Sequence, residues 1–429
     1  MKILILGATG FIGSAIAARL RRDGHMVTGL ARHPNRARVK HPSIAWIKAD
    51  LAEMTDPSDW RTVLNSHQLV INCAGALQDG LSDDLGATQE KAMLALYAAA
   101  AQSAIERVVQ ISARTEGGGQ DQPFLVTKRK ADKALAASGL NHVILRPALV
   151  LGRNAHGGTA LLRALAAIPH VLPLIYAQSP VETVSVDDVA AIVSTAVAGE
   201  FQSGTDIDLA ASEALTLREL VILHRNWLGL PPARIVPIPT GLAKPLTWAA
   251  DIAGRLGWRS PLRSTAMAVM SEGVLSRRSA QHLPSQRLAT AVETLEANPS
   301  GVQDLWFARL YLLKPLMIGG LALFWLLSGI IPMMAPTAAS RHFLPFMPDG
   351  IAMALTLATC LLDIILGAFV LARPSALSAL RGMLAATLGY LAGGTVLESS
   401  LWLDPLGPLV KALPSILLTL ATLAVLEER

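Results

Sequence analysis

The chain has 429 residues, room for two or three domains, of which 52% are hydrophobic and 16% charged. That balance is apolar for a soluble protein of this length, and most of the excess lies beyond about residue 305. The net charge of +5 comes from scattered Arg and Lys, with no basic stripe and no aromatic interleaving, which argues against a nucleic-acid partner. Cys73 and Cys360 are too few and too far apart for a disulfide framework, and they and the ten histidines show no zinc spacing, so no metal is expected.

Lys2–Leu6 reads as a short apolar strand and runs into Gly7-Ala8-Thr9-Gly10-Phe11-Ile12-Gly13. The apolar run is too short for a signal peptide, so the front of the chain is expected in the cytoplasm. Ser14–Arg22 has helical periodicity, Asp23-Gly24 ends it, and His25–Ala31 gives a second strand. This order of strand, glycine turn, helix and strand is the one a dinucleotide needs. Gly7 permits the tight turn, Gly10 lets backbone approach the pyrophosphate, Gly13 lets the helix pack closely, and the helix N-terminus faces the phosphates.

The end of the second strand selects the cofactor, because a carboxylate there suits NAD and an arginine suits the 2′-phosphate of NADP. The stretch Gly29-Leu-Ala-Arg32-His33-Pro34-Asn-Arg36 contains no carboxylate. Arg32 is therefore the expected phosphate contact, with Arg36 as the alternative, and NADP is favoured over NAD. Three further strand-like runs follow: Ala45–Lys48 before Asp50-Leu51, Leu69–Cys73 before Ala74-Gly75, and Arg107–Ile111 before Ser112, separated by helical stretches such as Thr88–Ser103. Alternation of this kind predicts an α/β fold, a Rossmann-type doubly wound parallel sheet with its ligand rim at the C-terminal strand ends. Asp50 (adenine edge), Leu51, Ala74, Gly75 and Ser112 fall at that rim.

These residues, with Asn72-Cys-Ala-Gly75, Gln110-Ile-Ser112, Leu145-Arg-Pro147-Ala-Leu-Val-Leu-Gly152 and Val184-Ser-Val-Asp187-Asp188-Val-Ala190, resemble the extended and atypical branches of the short-chain dehydrogenase/reductase superfamily. Within them the chain is similar to the group containing the nucleotide-binding accessory subunit of respiratory complex I. The resemblance covers roughly residues 1–270. It implies a cofactor site of Gly7, Thr9, Gly10, Phe11, Ile12, Gly13, Arg32, Asp50, Leu51, Ala74, Gly75, Ser112, Lys128 and Pro147. In the family's chemistry a Tyr hydroxyl transfers the proton, a Lys four residues on holds the nicotinamide ribose, and a Ser polarises the substrate oxygen. Ser112 and Lys128 match two of these roles, and the Tyr position is Phe124. No tyrosine lies between 98 and 175, so no realignment restores one. Tyr97 is expected to pack, Thr127 to face another side of the helix, and Tyr176 is a weak substitute candidate, as are His156 and the Arg114-Thr115 pair. Lys128 keeps a reason without catalysis, because it can hold the ribose, although an exposed helix lysine is the bland alternative.

Residues 1–152 are thus expected to form the Rossmann core and 153–304 the rest of the reductase-like domain, with a small substrate subdomain given a basic cast by Arg259, Arg263, Arg277 and Arg278. Residues 305–429 are expected to form an all-α four-helix transmembrane bundle. Its apolar segments Leu313–Met334, Ile351–Ala372, Leu380–Leu397 and Leu409–Leu426 match a bilayer's thickness. Arg373 and Arg381 beside the middle connection, against Asp404 in the third, place both termini and the nucleotide domain in the cytoplasm, with Arg341 and His342 weakening the bias. The tail resembles the DoxX-like family of four-helix membrane domains, which implies a bacterial inner membrane. Gly389-Tyr-Leu-Ala-Gly393 offers a small-residue packing face. Asp363, near mid-membrane, should face the bundle interior, paired with Lys314, linked to protons, or neutral and structural. Tethering implies a lipophilic acceptor, a quinone or a lipid-linked carbonyl. The competing expectation is a non-catalytic dinucleotide sensor or assembly factor.

Overall fold

Residues 2–6 are a run of Lys and four buried aliphatics, and they form β1 (Lys2–Leu6), an interior strand of a seven-stranded parallel sheet. In this computed structural model, residues 1–75, 84–115, 120–258, 260, 262–271, 273–275, 287–405 and 407–427 are described, apart from the side chains of 265, 266 and 269. The chain then alternates: α1 (Phe11–Arg22), β2 (Met26–Ala31), α2 (Pro34–Lys40), β3 (Ala45–Lys48), α3 (Pro57–Leu64) and β4 (Leu69–Asn72). A π-helical turn, Gly86–Lys91, leads into α4 (Ala92–Ala100), where a single long helix over Thr88–Ser103 was expected. β5 (Arg107–Ile111), α5 (Pro123–Ala137) and β6 (His142–Pro147) follow.

Beyond β6 come β7 (Leu149–Leu151), α6 (Gly158–Ala166), β8 (Val171–Leu174), β9 (Pro180–Ser185), α7 (Val186–Val197) and β10 (Thr205–Leu209). Then β11 (Ala214–Thr216), α8 (Leu217–Trp227), β12 (Arg234–Pro237), α9 (Thr240–Arg255), α10 (Ser264–Ser271) and α11 (Ala291–Glu296) complete this part. The large sheet has the order β10-β6-β5-β4-β1-β2-β3, with every pair parallel. Its strands are near-continuous hydrophobic runs because both faces are covered: Ile3, Ile5, Ile71 and Val109 pack under α1 and α7, and Leu4, Leu6, Val70 and Val108 under α3 and α4. Small sheets β11-β9-β7 and β12-β8 lie outside it.

The chain divides into two compact units, Met1–Asp251 with Ser260–Leu305, and Ile252–Arg259 with Trp306–Arg429. The second is helical: α12 (Val302–Met334), α13 (Pro336–Ser340), α14 (Asp349–Phe369), α15 (Arg373–Leu397) and α16 (Ala412–Val425). Among the described residues α12, α14 and α15 are long and apolar enough to cross a membrane. The fourth expected span is shorter than its hydropathy implied. Only 14 residues of Leu409–Leu426 are helical, about 21 Å at 1.5 Å per residue against a hydrocarbon core of about 30 Å. Gly407, at φ +56°, sits just before this helix in a left-handed turn.

Close helix packing in this unit does not use the expected glycine face. A Cβ on Gly389 or Gly393 would meet nothing within 4 Å among the described residues. A Cβ on Gly329 would strike the Cys360 carbonyl, and one on Gly367 would come within 2.9 Å of Leu326, so α12 and α14 approach at those two glycines instead. Asp363 does face inward, at 5% exposure. Its partners are Ser328 and Tyr390, whose hydroxyls each donate to it at 2.7 Å. Lys314, the cation weighed as its partner, donates to the Leu426 carbonyl at 3.1 Å and lies over the Trp258 ring.

Candidate functional site

The glycine turn is built for close approach of backbone to backbone. Gly7 has φ +72°, and a Cβ there would stand 2.8 Å from the Cys73 carbonyl group and 2.9 Å from Ala74 N. The loop after β1 therefore crosses directly over the end of β4, and only glycine fits. The Gly10 amide donates to the Gly7 carbonyl at 2.9 Å, closing the turn, and Gly10 then begins α1 with no side chain capping its amides. A Cβ on Gly13 would strike the Gly7 carbonyl, so the third glycine serves the turn itself rather than only the helix–sheet distance. Phe11 opens α1, and its ring stacks on His156 at 6.1 Å. Gly152, the last residue of the Arg-Pro motif, lies where any Cβ would come within 3.1 Å of Phe11. That contact ties the motif strand to the glycine turn. Thr9 and Ile12 lie in the same segment, exposed and half-buried respectively.

The Ala74–Gly75 backbone at the end of β4 is held from behind. The Asn72 carbonyl oxygen accepts from Ala74 N at 2.9 Å, and its amide donates to Gln110 Oε1 at 2.9 Å. Tyr97 OH donates to the same Gln110 oxygen at 3.0 Å. All three side chains are buried, so this network is fully inside the sheet edge. Burial also drives the Tyr97 hydroxyl far above the usual tyrosine range, which leaves it a structural donor.

Lys128 reaches this rim from α5. Its ammonium donates to the Ile111 carbonyl at 3.3 Å, and a Cβ on Gly75 would sit 3.2 Å from Nζ. The structure thus brings Lys128, Gly75 and the end of β5 together. Burial pulls the Lys128 ammonium below the usual lysine range, with Asp132 opposing, and pushes the neighbouring Cys73 thiol up to about 12. Cys73 is consequently a neutral thiol rather than a nucleophile.

One turn before Lys128, Phe124 is buried with Leu85 and Leu125 in a small apolar cluster that also touches Ala113. The ring occupies packing space. Ser112, the expected carbonyl polariser, is buried, and its hydroxyl donates to Asp132 at 2.6 Å. Arg146 completes this group: it donates to Asp132 at 2.8 Å, to the Ser112 hydroxyl at 3.3 Å, to the Ala113 carbonyl at 2.7 Å, and through Nε to Asp206 at 2.7 Å. Sequence reasoning had placed Arg146 in a family motif without giving it a role. Its charge has a buried partner 14 positions away and a half-buried one 60 positions away, which no local pattern reports.

Other expected residues take their places as follows. Arg32 is exposed just past β2, and Asp50 lies past β3 with Oδ1 accepting from Ala52 N at 3.1 Å. Leu51 packs against the core beneath α3 and α4, and Pro147 ends β6 opposite Leu209. Thr127 points along its own helix to the Pro123 and Phe124 carbonyls. Arg114 donates to the Leu275 carbonyl. Tyr176, at φ +53°, lines an open cavity of about 560 Å³ with Ser179, Pro180, Arg218, Ile235 and Pro237, none of them a residue of the β1–β4–β5 rim. In the Val-Asp-Asp-Val-Ala segment, Ser185 caps α7 and Asp188 accepts from Ala289 N at 2.8 Å, both structural contacts. Arg263 pairs with Asp251 at 3.4 Å, while Arg259, Arg277 and Arg278 lie outside the described residues, as does the glycine run 117–119.

Residues 7–199 match the NAD(P)H-binding family, and residues 322–420 match the DoxX-like family. An uncharacterized protein of Mycobacterium tuberculosis (strain ATCC 25618 / H37Rv) is 30% identical over 254 residues, 59% of this chain and 26% of the relative. The chain therefore spans about a quarter of the length of that relative. The (4-alkanoyl-5-oxo-2,5-dihydrofuran-3-yl)methyl phosphate reductase of Streptomyces griseus is 25% identical over 230 residues, 53% of this chain and 74% of the relative. Among solved structures, Pal from Bacillus thuringiensis covers 71% of this chain and 100% of its own at a TM-score of 0.52 and 16% identity, a likeness of fold alone.

Proposed function

Because the chain joins an NAD(P)-binding, short-chain dehydrogenase/reductase-like domain to a DoxX-like domain with long apolar helices, we propose that it is a membrane-tethered oxidoreductase acting on a lipophilic acceptor, a quinone or a lipid-linked carbonyl. The observation that carries this reading is the position of Lys128, whose ammonium stands against Gly75 and the Ile111 carbonyl at the end of the parallel strands. A ribose laid across that rim would find a donor in Lys128, backbone amides at the start of α1, and no side chain at positions 7 and 13 to obstruct the pyrophosphate. When bound, the dinucleotide supplies a hydride. Phe124 carries no proton, so the proton that follows the hydride comes from water in this scheme.

NADPH is the cofactor we favour, with Arg32 as the contact for its 2′-phosphate. In the same proposal the nucleotide domain faces the cytoplasm of a bacterial inner membrane, on the count of Arg373 and Arg381 against Asp404, and the C-terminus shares that side if the short α16 crosses together with its non-helical flanks. A second reading, a non-catalytic dinucleotide sensor or assembly factor, draws on Ser112. Its hydroxyl proton is already given to Asp132, so it is not offered to a substrate.

The test is purification of the full chain in detergent and measurement of NADPH and NADH oxidation with short-chain quinones, alongside binding by calorimetry. Turnover supports the oxidoreductase. Tight binding with no turnover on quinones or carbonyls sinks it in favour of the sensor. Arg32→Asp should reverse any preference for NADPH, and an unchanged preference would remove Arg32 from the site.

A further inference from the structure

α9 (Thr240–Arg255) is inverted relative to an ordinary surface helix. The side it buries carries its smallest residues, Ala243, Ala250 and Gly254. Its largest apolar residues stand outward, Leu242 at 71% exposure, Leu246 at 52% and Trp248 at 69%. Leu242, Leu246, Ala249 and Ala253 follow one another at helical spacing and form one apolar strip along the helix. Thr240, Lys244, Asp251 and Arg255 form a polar strip by the same rule, and Trp248 lies at the border between the two. The one acid of the helix, Asp251, accepts from the Ser264 amide at 3.2 Å and from Arg263 Nε at 3.4 Å. The charges that α9 presents outward are therefore Lys244 and Arg255, both exposed and both positive.

An apolar strip of this size left in water marks an interaction surface, and the chain beyond α9 says which. The last turn of the helix and the residues to 259 belong with the helical unit. There the Trp258 indole N–H donates to the Leu371 carbonyl at 2.6 Å, and the Arg373 amide donates to the Leu256 carbonyl at 2.9 Å. Lys314 and Arg373 lie over the Trp258 ring, 5.8 and 5.6 Å from its centroid. Lys314 precedes the uncharged run of α12 and Arg373 opens α15, so this cluster of an indole with two cations has the composition of a headgroup belt. α9 ends three residues before Trp258. With 16 residues it is about 24 Å long, too short to cross a hydrocarbon core of about 30 Å, and its polar strip suits a helix lying along the surface. A second copy of the chain on the same face would set Lys244 and Arg255 against their own counterparts, whereas anionic headgroups would neutralise them.

We propose that α9 is an interfacial helix whose partner is the anionic lipid surface. Leu242, Leu246 and Ala249 enter the acyl chains just below the headgroups, Trp248 sits at their boundary, and Lys244 and Arg255 meet lipid phosphates. The proposal rests on the membrane-tethered reading for the presence of a bilayer and on nothing about the reaction.

The experiment uses the full chain in nanodiscs of phosphatidylcholine and phosphatidylglycerol whose acyl chains are brominated next to the headgroup, read by tryptophan emission. Trp248→Phe should remove a bromine-quenched component. In that background the indole introduced by Leu246→Trp should be quenched at least about twofold more than the one introduced by Lys244→Trp, because only the first faces the chains. Omitting phosphatidylglycerol should weaken the quenching at position 246. Equal quenching at 246 and 244, or quenching at 246 indifferent to phosphatidylglycerol, overturns the proposal. So does an indole at 246 shielded from bromine and from aqueous acrylamide alike, the result expected if a second copy or another protein covers the strip. Phe324→Trp, on the exposed flank of α12, reports the span in discs brominated at the chain ends. Quenching there without quenching on α9 defeats this proposal alone, and quenching at neither defeats the membrane reading with it.

Discussion

The guanidinium of Arg146 donates to Asp132 at 2.8 Å, and each side chain is 5% exposed. Removing the carboxylate leaves a buried cation that still has Asp206 but loses its inner partner, and Ser112 loses its acceptor. Asp132→Ala is expected to destabilise the nucleotide unit by about 3 kcal/mol, at the lower end of the range for breaking a buried pair. Thermal unfolding in detergent checks this, and a midpoint within a degree of the parent would mean that Asp206 alone satisfies Arg146.

Gly7→Ala places a methyl 2.8 Å from the Cys73 carbonyl group at a φ of +72°. Both the contact and the backbone angle oppose it. Dinucleotide affinity should fall by at least tenfold, with a lowered unfolding temperature. Calorimetry giving the parent's affinity would show that the turn can move without harm.

Lys128→Met keeps the unbranched stem of the side chain and removes its charged end. If Lys128 holds the ribose, affinity should fall about tenfold, the equivalent of one lost hydrogen bond of about 1.4 kcal/mol. Because burial disfavours the ammonium, stability should hold or rise in the same variant. Lost stability with unchanged affinity would reassign Lys128 to structure.

Phe124→Tyr restores the residue whose absence defines the site. Its hydroxyl would enter the cluster with Leu85 and Leu125, where an unpaired hydroxyl costs about 1–3 kcal/mol. We expect a lower unfolding temperature and no carbonyl reductase activity. Activity appearing in this variant would show that the tyrosine can turn out of the cluster toward the rim.

His224, 1% exposed in α8 with Nδ1 against the Leu220 carbonyl at 2.9 Å, is held down to about 4 by burial, from 6.5. The unfolded chain takes up the proton first, so stability is complete above pH 6.5 and is lost as pH falls toward 4. The loss amounts to about 3 kcal/mol. Comparing the pH dependence of unfolding with that of His224→Phe isolates it, and superimposable profiles would refute the assignment.

The strands and the glycine turn were legible because their signals are local. An apolar run of four or five residues followed at once by glycines specifies a strand and the turn that leaves it, and the later segments repeat the pattern. The long helices were legible for the same reason, since hydropathy over some twenty residues needs no partner. Hydropathy does not report where a helix begins, and so the last span was expected longer than it is.

By itself, then, the sequence determined the strand–turn–helix alternation, the dinucleotide turn, the missing tyrosine and the apolar tail, all properties of neighbours along the chain. Tertiary structure alone decided what each polar residue faces. It gave the Ser112 proton to Asp132, set Lys128 against Gly75, joined Asn72 to Gln110 and Tyr97, and paired Asp363 with Tyr390 rather than Lys314. These partners come together through parallel-strand register and helix crossings, which put residues far apart in sequence side by side, where the cost of an unmatched buried polar group selects the pairs.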